Sequence, residues 1–371
     1  MSLLRGRLAG LGALVLGVAM GASACGTTGQ QASSDAAGSG GAGGAGGFIT
    51  GAGGSGGHAV AAHAASSAAS AGTGGTGGSG KGPPYPFVLA HGFFGFEKFA
   101  GLSFETYYFH VKAHLAAKGE IVDTPAVDPF NDSDYRGQQL LARIEDFLAA
   151  TGASKVNIIG HSQGGLDARV VANLRPDLVA SVVTVSTPHL GTPVGDIATK
   201  LLADPNAQAI IDALTQLVGG ALYDTVGNKT SLIKALELFS TPGIAAFNQK
   251  HPDAPGVFYA SIAGRSALHP HGPDCDGDLV VPFIHPWKST FDPLNALFAI
   301  TEPSLSGFDN VINDGLVRAR DARRGEFWGC VPADHVDEVG QILGQSPGLG
   351  NDWKYLDFYT ELLAYMRSRG F

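Results

Sequence analysis

The fold is decided by residues 155–165, KVNIIGHSQGG, where a short apolar run ends in the pattern Gly-X-Ser-X-Gly. The run predicts a buried strand, and the apolar spacing of residues 166–174 predicts a helix directly after it. A turn this sharp brings backbone segments close together, which Gly160 and Gly164 allow because they lack side chains. Ser162 would then lie exposed between strand and helix as a candidate nucleophile. The alternative is a serine that only caps the helix.

Segments on both sides of this turn repeat the alternation of short apolar runs and amphipathic stretches. Such alternation favours parallel strands joined by right-handed helical crossovers. The sequence therefore predicts one three-layer α/β domain, with a mostly parallel sheet between two layers of helices. The predicted strands are 87–90, 121–127, 155–160 and 178–185, and the predicted helices are 105–118, 137–150 and 166–174.

Composition separates the first 82 residues from the rest of the chain, since they hold 26 of its 54 glycines. Residues 26–82 contain only two charged residues, Asp35 and Lys81. Such a stretch cannot bury enough apolar area to offset chain entropy, so we expect a flexible tether over 25–82. Residues 83–371 are long enough to bury a core of their own. The net charge of −9 excludes the basic class of nucleic-acid-binding proteins.

The N-terminus has the pattern of an export signal. Arg5 and Arg7 precede an apolar run, and small residues follow it up to Cys25. We expect a signal peptide over 1–24 and a mature protein that is secreted, periplasmic or on the outer surface. Cleavage there would leave Cys25 first and open to lipidation. Ala22 stands where lipoprotein signals usually carry Leu, so secretion without lipid is the alternative.

Removal or lipidation of Cys25 leaves two thiols, Cys275 and Cys330. In a compartment that oxidises thiols, a single disulfide between them is expected. The alternative is a pair of buried free cysteines.

A serine hydroxyl becomes a nucleophile when a base takes its proton and an acid orients that base. His161 neighbours Ser162 but is expected to point elsewhere, and His91 precedes the serine. In hydrolases built on this turn, the acid and the base follow the serine. Order alone leaves five candidate bases, which are His251, His269, His271, His285 and His335.

The oxyanion formed by such a nucleophile needs two N–H donors. One belongs to the residue after the nucleophile, here Gln163. The other comes from the loop after an early strand, and the HGFFG stretch that follows residues 87–90 offers the N–H of Phe93. The alternative is that this stretch is merely an apolar turn.

From about residue 85 to residue 343, the sequence resembles the bacterial true lipases of family I, secreted triacylglycerol lipases that depend on a foldase. The resemblance implies the α/β-hydrolase fold, with Asp314 of the NDGLV stretch as acid and His335 of the HVDE stretch as base. The stretches that carry it are YPFVLAHGFFGFEKFAG, RGQQLLARIEDFLAATGASKVNIIGHSQGG, RPDLVASVVTVSTPHLGTPVGD, AAFNQKHP, NDGLV and HVDEVGQILG.

The same resemblance implies one structural Ca²⁺ ion near the base. Its ligands would be the side chains of Asp292 and Asp337 and the main-chain carbonyls of Gln341 and Gln345. Carboxylates and neutral oxygens suit this hard cation. Taken alone, the HVDEVGQILG stretch instead predicts an amphipathic helix on which Asp337 is a surface charge.

The family also places a mobile helical lid at about residues 195–245. Here apolar residues recur at roughly helical spacing, as an amphipathic lid over the site requires. The alternative is an ordinary pair of helices that face the core. The apolar residues concerned are Ile197, Leu201, Leu202, Ile210, Ile211, Leu214, Leu217 and Val218.

Together these features predict a secreted or surface-anchored triacylglycerol lipase. It would hydrolyse acylglycerol esters at a lipid–water interface through a Ser-His-Asp triad and an acyl-enzyme, with a lipase-specific foldase as a further partner. The nearest alternatives are an esterase, a phospholipase or a polyester depolymerase of the same fold. A more distant one is a tethered binding protein without catalysis.

Overall fold

The computed structural model describes six continuous ranges and six further residues. The predicted signal peptide, Cys25, nearly all of the predicted tether and Gln345 lie outside them. The described residues are 81–93, 107–203, 229–266, 272–293, 311–341 and 350–371, with Phe298, Thr301, Leu305, Gly344, Pro347 and Gly348.

A six-stranded sheet in the order β2-β1-β3-β4-β5-β6 forms the centre of the molecule, and every neighbouring pair is parallel. The carboxyl ends of all six strands therefore meet at one edge, where ligands of open α/β sheets bind. The strands are β1 Phe87–Ala90, β2 Val122–Asp123, β3 Val156–His161, β4 Val179–Val185, β5 Phe258–Gly264 and β6 Glu326–Val331.

Helices cover both faces of this sheet. Successive strand residues point to opposite faces. On β1, Phe87 and Leu89 pack with α1 and α7, whereas Val88 and Ala90 pack with α2 and α3. The predicted fold class is thereby confirmed. The helices are α1 Val111–Ala117, α2 Ser133–Thr151, α3 Gln163–Leu174, α4 Pro193–Leu202, α5 Lys229–Phe239, α6 Thr241–Lys250 and α7 Tyr355–Ser368.

Local chemistry sets the bounds of α2, which is longer than the predicted helix 137–150. The Asp132 side chain accepts the N–H of Tyr135 at 2.9 Å and so caps the first turn. Gly152 ends the helix with φ 70°, a conformation that glycine adopts without steric cost.

Three segments are less regular than their patterns predict. The helix expected over 105–118 extends, within its described part, only over Val111–Ala117. The strand expected over 121–127 extends only over Val122–Asp123. The alternative of an amphipathic helix over 335–344, drawn from apolar spacing alone, is wrong for the described residues. They contain a single short 3₁₀ turn, Asp337–Val339. Gly340 ends that turn with φ 74°, and the carboxyl groups within it are buried instead of facing solvent. Polar contacts in the interior therefore override the apolar periodicity.

The predicted lid remains a prediction. Helices α4 and α5 pack against each other, but residues 204–228 lie outside the described residues. Within the described part of the chain, we find no helix that is long and apolar enough to cross a bilayer.

A disulfide joins Cys275, in a 3₁₀ turn at Pro273–Cys275, to Cys330 on β6. It closes a loop of 55 residues that includes Asp314. Both cysteines are buried, so the bridge fastens this excursion of the chain to the sheet.

Replacing both cysteines with Ala is expected to lower the free energy of unfolding by up to about 4 kcal/mol, because the open loop gains entropy in the unfolded chain. Thermal and urea denaturation of the oxidised protein and the double variant measure the difference. Reduced wild-type protein is the control and should approach the variant. Equal midpoints for oxidised wild type and variant would contradict the prediction.

Candidate active site

Ser162 occupies a strained turn between β3 and α3. Its backbone has φ 55° and ψ −129°, which a residue with a side chain rarely adopts. The N–H of Ser162 donates to the carbonyl of Val185 at 2.9 Å, and the Thr187 hydroxyl donates to the carbonyl of Ser162 at 2.7 Å. The nucleophile elbow, residues 160–164, is thus held from β4.

The two elbow glycines lie where no side chain fits. A Cβ atom on Gly160 would overlap the backbone of Gly165, and one on Gly164 would overlap the carbonyl of Ala90. Close approach of β1, β3 and α3 therefore requires glycine at both positions, as the sequence pattern indicates.

Asp314 and His335 lie together near the carboxyl edge of the sheet, and both are buried. The Nδ1 atom of His335 is 2.8 Å from Oδ2 of Asp314. The other carboxylate oxygen accepts the N–H groups of Leu316 at 2.9 Å and Val317 at 2.7 Å. These bonds fix the carboxylate and direct Nε2 of the imidazole away from it, as a general base requires.

His161, which precedes Ser162 on the elbow, packs against His335. Its ring centroid lies 4.6 Å from that of His335, and Ser162 is the next residue in the chain. The sequence did not predict that the ring of His161 packs against that of His335. Sequence order could not show this contact, because it joins β3 to the loop after β6.

The Gly92–Phe93 peptide adjoins the nucleophile, since a Cβ atom on Gly92 would lie 2.7 Å from Cβ of Ser162. The carbonyl of Gly92 accepts hydrogen bonds from Nη2 and Nη1 of Arg136, at 3.2 and 3.3 Å. The N–H and C=O groups of a trans peptide point in opposite directions. The N–H of Phe93 is therefore directed away from Arg136.

Arg136 is a fully buried cation that sequence reasoning missed. Its guanidinium pairs with Asp167 at 2.8 Å and donates to the carbonyl of His91 at 2.6 Å. A buried guanidinium needs such partners because its desolvation is costly. The available signal was a lone arginine at helical spacing from Leu140 and Ile144, on the apolar face of α2.

His91 completes the support of this peptide. Burial, together with repulsion from Arg136, lowers the pKa of His91 to about 3. The neutral ring accepts the N–H of Val127 through Nε2 at 3.0 Å, so Nδ1 carries the proton that it donates to the carbonyl of Gly92 at 2.8 Å.

A second buried histidine–carboxylate pair lies beside His335. Oε2 of Glu338 is 2.9 Å from Nε2 of His161, and Oε1 accepts the hydroxyl of Ser186 at 2.6 Å. The other ring nitrogen of His161 is 2.6 Å from the hydroxyl of Tyr107. Burial raises the pKa of Glu338 well above its usual value and lowers that of His161 well below its own.

Three acidic side chains, Asp292, Asp334 and Asp337, converge near the base, with carboxylate oxygens within 4.8 Å of one another. Both oxygens of Asp292 and Oδ2 of Asp334 are buried without a hydrogen-bond partner among the described residues. Sequence reasoning named Asp292 and Asp337 but missed Asp334. Gln341, whose main-chain carbonyl is a predicted ligand, donates a side-chain hydrogen bond to the carbonyl of Tyr107 at 2.8 Å.

Burial and mutual repulsion act on these acids together. Burial, then the charges of Asp334 and Asp337, raise the pKa of Asp292 to about 9. Burial, then Asp334, raises the pKa of Asp337 to about 8. Such a group of oxygens either holds protons or needs a cation nearby.

Comparison with known proteins agrees with this geometry. A family model described as alpha/beta hydrolase fold matches residues 85–213. A triacylglycerol lipase of Vibrio cholerae is 35% identical over 272 residues, which cover 70% of this chain and 81% of that protein. A triacylglycerol lipase of Pseudarthrobacter phenanthrenivorans is 38% identical over 298 residues, covering 70% of this chain and 90% of that protein.

A solved structure of a metagenomic carboxyl esterase has a TM-score of 0.55 and 17% identity, over 77% of this chain and 76% of that one. At this identity the likeness shows the fold alone. With the sheet and the elbow described above, the class of protein is an α/β-hydrolase that acts on carboxylic esters. Within that class, the chain belongs to the family of bacterial lipases.

Arg136→Lys is expected to lower kcat on a short p-nitrophenyl ester by about 10-fold. Arg136 holds the peptide that carries the candidate oxyanion donor, the N–H of Phe93. Loss of such a donor costs about 10²–10³-fold in kcat, and its misalignment costs less. A lysine ammonium remains a cation for Asp167 but lacks the planar fork that reaches two carbonyls. The exposed Arg175→Lys is the matched control. A kcat equal to that of the control variant would contradict the role of Arg136.

Proposed function

We propose that this protein is a triacylglycerol lipase whose catalytic triad is Ser162, His335 and Asp314. The observation that carries the proposal is the buried 2.8 Å contact between His335 and Asp314, in a loop packed against the nucleophile elbow through His161. A neutral imidazole that is fixed at Nδ1 has one nitrogen left, Nε2, with which to take a proton from the serine hydroxyl.

In the proposed reaction, Nε2 of His335 takes the proton of the Ser162 hydroxyl while Oγ attacks the ester carbonyl carbon. Asp314 stabilises the imidazolium that forms. The imidazolium then protonates the leaving alcohol, and the carbon–oxygen bond to that alcohol breaks. Water, deprotonated by the same His335, attacks the acyl-enzyme and releases the fatty acid, which restores the serine.

The N–H groups of Phe93 and Gln163 are the proposed oxyanion hole. Gln163 is the first residue of α3, where main-chain N–H groups and the helix dipole favour negative charge. Its side-chain amide donates to the carbonyl of Asn131 at 2.7 Å. That bond holds the side chain against the segment before α2, so the main-chain N–H is the group proposed to serve the oxyanion.

Acylglycerols are the proposed substrates because relatives with this degree of identity are named triacylglycerol lipases. A helical lid at about residues 195–245 and action at a lipid–water interface belong to the same proposal. Esterase, phospholipase and polyester depolymerase remain alternatives with the same chemistry and different acyl sites.

Export is proposed on the N-terminal pattern, with or without lipid on Cys25. A foldase partner is proposed only from the family resemblance. The disulfide between Cys275 and Cys330 supports export, since such bonds persist in oxidising compartments.

Ser162→Ala is expected to reduce hydrolysis of p-nitrophenyl esters by at least about 10⁴-fold, because the nucleophile is lost while the fold remains. Turnover, melting temperature and labelling by a fluorophosphonate measure this. The buried Ser181→Ala on β4 is the matched control. Substantial residual turnover in Ser162→Ala would refute the proposed nucleophile.

Two outcomes separate the alternatives. A wild-type protein that neither hydrolyses esters nor takes the fluorophosphonate label would favour the tethered binding protein. A wild-type protein that labels but prefers short acyl chains in an ester series would favour an esterase over a lipase.

We also propose that Asp292, Asp334 and Asp337 hold a structural Ca²⁺ ion. The residues fit this cation, because the buried, unpartnered carboxylate oxygens of Asp292 and Asp334 are hard ligands in need of positive charge and lie within 4.8 Å of a carboxylate oxygen of Asp337. A bound cation would fasten the segment of Asp292 to the loop that carries His335. The main-chain carbonyls of Gln341 and Gln345 are the further proposed ligands.

Calcium is expected to raise the melting temperature of chelator-treated protein more at about pH 8.5 than at about pH 5.5. Carboxyl groups with raised folded-state pKa values stabilise the metal-free protein at low pH, and that stability is lost as pH rises through about 8 and 9. Calorimetric melting with and without calcium measures this. Asp292→Asn should abolish the calcium effect, and the exposed Asp357→Asn should keep it; equal effects at both pH values would contradict the site.

A further inference from the structure

One buried carboxyl group, that of Glu338, connects the carboxyl ends of three neighbouring strands through hydrogen bonds. Its Oε2 atom contacts His161 at the end of β3, at 2.9 Å. Its Oε1 atom accepts the hydroxyl of Ser186, the residue after β4, at 2.6 Å. That hydroxyl in turn accepts the N–H of Gly264, at the end of β5, at 2.8 Å.

The backbone around this carboxylate is arranged to admit it. Ser186 has φ 48°, a left-handed conformation that is costly for a residue with a side chain. The conformation persists where the Ser186 hydroxyl bridges Glu338 and Gly264. A Cβ atom on Gly264 would collide with Oε1 of Glu338, so glycine at that position leaves the space that the carboxylate fills.

These contacts join the two halves of the proposed triad. Glu338 follows His335 by three residues, in the turn Asp337–Val339, and His161 immediately precedes Ser162. Asp314 fixes the rotation of the His335 ring, and its hydrogen bonds to described residues go to His335, Leu316 and Val317, which lie outside the nucleophile elbow. The Glu338–His161 contact is a side-chain bond that ties the loop of His335 to the elbow.

We propose that Glu338 is a positioning residue that sets the distance between His335 and Ser162 through His161 and Ser186. The inference rests on the proposed triad and goes beyond it, because Glu338 touches none of the reacting atoms. His161 transmits the restraint, since its ring packs 4.6 Å from that of His335.

A glutamine at position 338 can keep both bonds. Its amide oxygen accepts the Ser186 hydroxyl, and its amide N–H donates to Nε2 of His161. The Tyr107 hydroxyl, 2.6 Å from Nδ1 of His161, both donates and accepts, so it serves either tautomer of the imidazole. Alanine keeps neither bond. Glu338→Gln and Glu338→Ala therefore separate geometry from charge.

The experiment measures kcat and KM on a soluble short ester, the rate of fluorophosphonate labelling and the melting temperature. Glu338→Ala is expected to lower kcat by about 10–100-fold at nearly unchanged KM, because small misplacements of catalytic groups cost rates of this order. Glu338→Gln should recover most of the lost kcat.

Two serine variants, one on β4 and one directly after it, supply a matched pair. Ser186→Ala removes the bond to Glu338, and Ser181→Ala removes an equally buried bond to Asn157 at 2.7 Å, earlier on β4. Both should lower the melting temperature by similar amounts. Only Ser186→Ala should lower kcat and slow the labelling of Ser162.

Wild-type kcat in Glu338→Ala, or Glu338→Gln as impaired as Glu338→Ala at equal stability, would overturn the positioning role. Equal loss of kcat in the two serine variants would mean that the network contributes only to general stability. That result would also overturn the positioning role. Failure of the proposed triad is distinguishable, because Ser162→Ala would then keep its ester turnover. Failure of the positioning role alone would leave Ser162→Ala inactive and Glu338→Ala at wild-type kcat.

Discussion

The rest of the site depends on the sharp turn by which the chain leaves β3 and enters α3. At Gly160 and Gly164 of that turn, three backbone segments lie so close together that a side chain would not fit. Ser162 then lies at the carboxyl edge of a fully parallel sheet. Loops after β1, β4 and β6 reach the same edge, so the groups that support the serine come from distant parts of the sequence.

Several buried polar groups around the turn form pairs, and each pair holds one part of the site. Arg136 and Asp167 hold the Gly92–Phe93 peptide. Asp314 orients His335, and Glu338 contacts His161. In a low-dielectric interior an unpaired member of any such pair would be costly, so the polar contacts fix positions that apolar packing alone would leave free to shift.

Much of the fold was predictable because the spacing of apolar residues and the positions of glycine and proline are properties of the local sequence. The strand at Val156–His161 and the helix at Gln163–Leu174 lie close to their predicted positions. The stretch after His335 was not predictable from its apolar spacing, because the buried carboxyl of Glu338 and the left-handed Gly340 interrupt a helix there. Ser162, Asp314 and His335 were named from a motif and a family resemblance, whereas Arg136, Asp334 and Glu338 were not.

By itself the sequence determined the alternation of strands and helices up to β4, the glycines that the elbow requires and the kind of nucleophile, since each follows from residues near one another in the chain. The tertiary structure alone decided which histidine packs against the base, which arginine holds the Gly92–Phe93 peptide and which third carboxylate joins Asp292 and Asp337. These are contacts between residues far apart in sequence. Their geometry exists only when the parallel strands have brought their carboxyl ends to a common edge.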